Sequence, residues 1–184
     1  MFHLTSKIMA NNKYCGNVSD YAPVSEDQSR VVIMYGLNPT EGEMAEWYQL
    51  EFYKKQGRPS FEQAKAAIIA DINEKVKAKI IGGFVWNGKN VWLSEENQMN
   101  FAQAVVPVTF KIGEDANGDP IYQEFNTKTE LKNFVEACVA WKQQCLTEGW
   151  AEKDGIDWTP YAEALAPVTE APAEASADSA ESAE

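Results

Sequence analysis

The side chains that could do chemistry in this sequence are few and scattered. The single histidine is His3, and the three cysteines are Cys15, Cys138 and Cys145. One imidazole in a polar opening segment removes a histidine metal cluster, a Ser/His/Asp triad and a Cys/His dyad built inside a folded core. The cysteines are odd in number, widely spaced and form no CxxC, which points to a reducing compartment without a disulfide framework. Cys138 and Cys145 lie seven residues apart, on one helix face, as small buried apolar side chains. Carboxylates are plentiful, so paired-acid hydrolysis is a chemistry to weigh. Glu95 and Glu96, however, are adjacent at a helix start, where they diverge and complement the macrodipole. The one oxygen-rich loop, Glu114 to Asp119, imitates half of a calcium loop. With Asp115 at its first position, Pro120 falls where glycine is needed and no glutamate closes the loop. A hairpin turn is the better reading. Neither GxGxxG nor GxxxxGK[ST] occurs, so no phosphate cradle is expected. We assign no catalytic, cofactor-binding or metal-binding residue, expect no cofactor, and expect the chain not to be an enzyme.

The aromatic residues are then the candidates for binding. Phe84-Val85-Trp86 and Val91-Trp92-Leu93 flank Asn87-Gly88, the pair that most readily takes up a type I′ turn. In that register Trp86 faces Lys89 and Phe84 faces Val91. Phe84, Trp86, Val91 and Leu93 share one face, and Val85, Asn90 and Trp92 share the other. The two indoles therefore cannot both fill a core from one side. Trp86, Trp92, Trp47 and Tyr48 are the candidate interface residues, since Trp and Tyr are favoured anchors. The competing expectation is that Trp92 packs under the N-terminal hairpin. Stacking on a sugar is a remote third.

Around these residues the sequence predicts an α+β fold: antiparallel β-hairpins packed with two main helices and one shorter helix. Residues 1–29 read as a flexible polar arm, and residues 30–58 as a β-hairpin subdomain. Its strands are Arg30–Tyr35 and Trp47–Tyr53, with a connection of about ten residues, long for a hairpin. Residues 59–161 read as the α+β domain. Ser60 and Gln63 form a capping box ahead of an amphipathic helix over 61–79. Ser94 caps a shorter helix ending near Val105, and Val108–Ile112 and Ile121–Phe125 pair as strands. Thr127 and Glu130 open a helix over 128–147, with Gly149 placed as its terminating glycine. Trp150, Ile156, Trp158 and Tyr161 are expected to fold back on the body. Residues 162–184, rich in Ala, Glu, Pro and Ser, read as a disordered acidic tail.

The charge is −12, from 16 basic and 28 acidic residues, with six of the acids beyond Tyr161. An acidic body argues against sequence-independent nucleic-acid binding. Lys75, Lys77 and Lys79 are the nearest approach to a basic patch and read as the solvated face of a helix. No run approaches the ~20 apolar residues of a membrane span, and the first residues lack the apolar core of a signal peptide, so a soluble protein without membrane contact is expected.

FEQAKAAIIADIN, KIIGGFVWNGKNVWLSEENQMNF, PVTFKI, YQEFNTKTELKNF and GWAEKDGIDW together resemble a family of phage and prophage proteins. That family carries a domain of unknown function and is often encoded among tail and tail-fibre genes. The F-x-W-N-G-x-x-V-W-L-S-x-E-x-Q-x-N pattern is similar to versions from phages of gut Bacteroidales. The resemblance covers roughly residues 60–161 and, more loosely, 30–58. It brings no catalytic motif. It implies a virion structural or accessory protein of the tail, neck or tail fibre, synthesised in the host cytoplasm. Its expected partners are other virion proteins, with homo-oligomerisation open. The alternative it leaves is a tail-fibre assembly chaperone absent from the mature particle, and more remotely a glycan-binding or glycan-hydrolysing tail component.

Overall fold

A computed structural model describes residues 13–167. The chain forms a four-stranded antiparallel layer and two separate antiparallel hairpins, packed with three main helices and a short fourth, the α+β architecture expected. The first layer is a four-stranded sheet of β1 (Lys13–Asn17), β2 (Val24–Glu26), β3 (Arg30–Pro39) and β4 (Met44–Tyr53), in the order β1-β4-β3-β2. β3 and β4 are longer than their apolar cores suggested. Pairing resumes beyond an irregularity between Tyr35 and Asn38, where Gly36 takes φ +69°, so only Thr40–Glu43 connect them. The expected ten-residue connection is thus a short turn on a bulged hairpin.

Residues 13–29 are not an arm. They supply both edges of the sheet, β1 pairing with β4 and β2 with β3. An edge strand has one pairing neighbour and a largely exposed flank, so polar residues are tolerated there and no alternation marks it. The chain passes from one edge to the other through a 3₁₀ turn at Val18–Asp20, and Tyr21 packs on Met34, Ala45 and Trp47. Residues 1–12 of the predicted arm and 168–184 of the predicted tail lie outside the described residues.

The opposite face of this sheet carries Val31, Ile33, Tyr35 and Leu50, all buried against α1 (Phe61–Gly82). Ser60 caps α1 with the reciprocal Gln63 box read from the sequence. Ala64, Ile68 and Ile72 face the sheet, while Ile80 enters a second core. That core is built by the hairpin β5 (Phe84–Trp86) and β6 (Lys89–Val91), then α2 (Glu95–Gln103), then the hairpin β7 (Val108–Glu114) and β8 (Pro120–Phe125), and finally α3 (Lys128–Asp154). Phe134 is its aromatic centre, ringed by Phe84, Trp86, Phe101 and Phe125 at centroid distances of 4.8–6.4 Å.

The β5–β6 register is the one expected, with Asn87 at φ 48° and Gly88 at φ 76°. Ser94 accepts from the Asn97 amide, and Thr127 and Glu130 form the second capping box. α3 does not stop at Gly149. A Cβ there would sit 2.3 Å from Val76 Cγ2, so this glycine lets α3 cross α1 closely instead of ending the helix. After α3, the short helix α4 (Thr159–Ala164) returns to the first core, where Tyr161 and Leu165 are buried. Trp150, expected to fold back with them, stays exposed. The predicted division at residue 59 therefore cuts no boundary: α1 lies in both cores, and α4 closes the first.

Candidate functional site

Two places on the fold bring distinctive side chains together. The first is internal. Tyr35, in the middle of β3, faces α1, where Asp71 and Lys75 stand one turn apart. The Tyr35 hydroxyl donates to Asp71 Oδ2, and the Lys75 ammonium donates to the Tyr35 hydroxyl. Lys75 Nζ also pairs with Asp71 at 2.9 Å. Tyr48, directly across the ladder from Tyr35, stacks on it at 5.4 Å, and Lys75 Nζ sits 2.9 Å from the Tyr48 ring centroid. Burial, then the bond to Asp71, holds the Tyr35 phenol above its usual range. Burial lowers Lys75, with Asp71 opposing the shift. Lys75 is thus not part of a solvated basic face. Each polar group is bonded to another within the set, the arrangement that makes a buried charge tolerable.

The second place is external. β5–β6 and β7–β8 lie side by side, the Trp92 amide donating to the Ile112 carbonyl at 2.6 Å. Gly113 makes this approach possible, since a Cβ there would meet the Asn90 carbonyl oxygen at 2.7 Å. The outward faces of the two hairpins then form one surface. Val85 is 54% exposed, Trp92 41% and Tyr122 56%. Lys111 is paired directly opposite Tyr122, and its ammonium lies 5.9 Å from the Trp92 ring and 2.8 Å from Glu114. The surface is an aromatic platform edged by the Lys111 ammonium and by Glu114 and Glu124, the latter on the same strand face as Tyr122.

Of the four candidate interface residues, only Trp92 is on this surface. Trp86 turns inward as its register requires and meets Phe134 edge-on at 5.5 Å. Trp47 is buried beneath Tyr21, its indole Nε1 without a hydrogen-bond partner among the described residues. Tyr48 is half-buried under Lys75. Burial removes Trp47 as a free anchor, and Tyr48 is engaged by Lys75 and Tyr35. The alternative place for Trp92, under the N-terminal hairpin, is also excluded, because it lies against β7. Sequence reasoning missed Tyr122. Its signal was its place in Ile121–Phe125, where it shares a face with Glu124 and not with Phe125.

The acidic loop is the turn expected. Asp115 Oδ1 accepts from the amides of Asn117 at 2.8 Å and Asp119 at 3.0 Å, so its carboxylate is spent on closing the β7–β8 connection. Among the described residues no group of three or more His, Cys, Asp or Glu side chains could hold a metal ion, and no helix is long and apolar enough to cross a membrane. Cys138 and Cys145 are buried on α3, and burial pushes the Cys138 thiol up to about 12.

Residues 63–177 match the family described as Domain of unknown function (DUF4376). The chain belongs to that family. Neither a curated protein nor a solved structure matches it. The family region takes in the whole aromatic platform, together with Asp71 and Lys75, and leaves out Tyr35, Tyr48 and the rest of the four-stranded sheet.

Proposed function

We propose that this DUF4376 protein is a non-enzymatic structural or accessory component of a phage virion, held in the tail, neck or tail-fibre region through its aromatic platform. The observation that carries the reading is Trp92, an indole left 41% exposed just past β6, its amide bonded to β7 and its ring 5.9 Å from the Lys111 ammonium. Aromatic side chains on a rigid sheet offer large contact area for little lost rotamer entropy, and Trp and Tyr dominate interface energetics. The resemblance to tail-region phage proteins supplies the class of partner, other virion proteins, and the location, the virion. The closed hydrogen bonding of Tyr35, Asp71 and Lys75 supports a packing role for this buried cluster.

The deciding experiment is quantitative mass spectrometry of gradient-purified particles beside the infected-cell lysate. A fixed, symmetric copy number in particles, lost in a Trp92→Ala phage whose protein still folds, is the expected result. Abundance in lysate with absence from particles would overturn it in favour of an assembly chaperone.

A further inference from the structure

A different surface carries an inference of its own. α2 and α3 diverge near the start of α3, leaving an open cleft of about 400 Å³. Its floor is Phe101, Val106, Leu131 and Val135, and Val105, 78% exposed, stands at its mouth. The apolar stripe runs on beyond the cleft. Met99, one turn before Ala102 on α2, is 61% exposed, and Val139, one turn after Val135 on α3, is 62% exposed. The rim is supplied by α3: Lys128, Lys132 and Glu136. Lys132 and Glu136 are loosely paired at 3.7 Å, while Lys128 forms no ion pair among the described residues. In a chain of net charge −12, the rim of this apolar strip carries two lysines against one glutamate.

We propose that this cleft is a second docking surface, which takes an amphipathic helix of a partner protein bearing acidic residues beside its apolar stripe. One wall is α3, whose backbone groups are bonded internally and offer an occupant no ladder to join. The other is the end of α2 and the irregular segment Ala104–Val106 that follows it. The length of the stripe, continuing through Met99 and Val139, suits a run of i, i+3/i+4, i+7 side chains more than a small molecule. The lysine rim selects the flanking charge. A second copy of this chain is disfavoured by the −12 that each copy carries.

The test is fluorescence anisotropy with the full chain and two labelled synthetic helices, alike in their leucine stripe and differing only in flanking glutamates or lysines. We expect the glutamate helix to bind about fivefold tighter or more at low salt, with the preference narrowing as salt is added. The double variant Lys128→Glu/Lys132→Glu should reverse the preference. Val105→Asp should weaken binding about tenfold without lowering the melting temperature, because Val105 is exposed. Trp92→Ala should leave helix binding unchanged, which separates this surface from the aromatic platform. Binding of neither helix, equal binding of both, or loss of binding in the Trp92 variant would overturn the proposal. So would a concentration-dependent dimer in ultracentrifugation that Val105→Asp abolishes, since the cleft would then belong to a second copy.

Discussion

Asp71 is the one charged residue among the described residues that is buried, and its partners determine what its removal costs. Asp71→Ala leaves the Lys75 ammonium against two aromatic rings without its carboxylate and the Tyr35 hydroxyl without its acceptor. The expected loss is about 2–4 kcal/mol in urea unfolding. The same cluster sets an alkaline limit. Tyr35 and Tyr161 are both raised, chiefly by burial, so the folded chain keeps protons that the unfolded chain releases near pH 10. Their stabilisation is complete below about pH 10 and is lost above it, at up to about 1.4 kcal/mol per pH unit for each phenol. Lys75 acts in the opposite sense, because its lowered value makes the folded chain shed a proton first. That contribution ends once the unfolded lysine is also neutral, near pH 10.4. Unfolding free energies should therefore fall between about pH 10.4 and about pH 11.5, and Tyr35→Phe should remove about half of that slope. The two hairpin indoles separate in the same assay. Trp86→Ala opens a hole against Phe134 and should cost about 2–4 kcal/mol, whereas Trp92→Ala should cost under about 1 kcal/mol.

At the scale of elements, Gly149 gives the sharpest test, because propensity and packing disagree in sign. Within a helix, Gly→Ala should stabilise by about 1 kcal/mol, yet here the new methyl would meet Val76 Cγ2. Gly149→Ala is expected to destabilise by about 1–3 kcal/mol, and adding Val76→Ala to restore part of that loss. The same residue shows where a sequence is legible and where it is not. Both capping boxes, the Asn87-Gly88 turn with its register, the Ser94 cap and the Asp115 turn depend on residues within a few positions of one another, and all were readable. Gly149 imitates a helix stop because its true reason, a side chain more than seventy residues away, leaves no local trace. β1 and β2 were hidden for a related reason, since an edge strand is stabilised by the neighbour it pairs with and not by its own pattern. Lys75 belonged to what looked like an exposed lysine run until β3 and β4 were placed over it. The platform was half legible: strand parity exposed Trp92 and Val85, but only the docking of β6 on β7 adds Lys111 and Tyr122.

For the molecule as a whole, α1 is shared property. Its Ala64, Ile68 and Ile72 serve the sheet, and Ile80 serves the second core. A fragment of residues 59–167 keeps all of the described family region but strips the sheet from α1 and from Tyr161 and Leu165. We expect it to melt more than about 10 °C below the full chain and to bind a hydrophobic dye, while the full chain unfolds in one transition by circular dichroism and by tryptophan fluorescence. Two coincident melts at the same temperature would instead make the sheet an appendage.

The placement of Tyr161 and Leu165 in the first core also bears on how the protein is made. A ribosome delivers β1 to β4 first, and they can pair as soon as they emerge. The apolar side of that sheet is nonetheless closed in part by residues delivered more than a hundred positions later, with Tyr161 donating to the Met34 carbonyl at 2.7 Å. Until then the part of this core that Tyr161 and Leu165 cover stays open even with α1 in place, and a product cut short before residue 161 displays it to the cell's quality-control proteases. A chain stopped before α4 leaves the first core it built partly open.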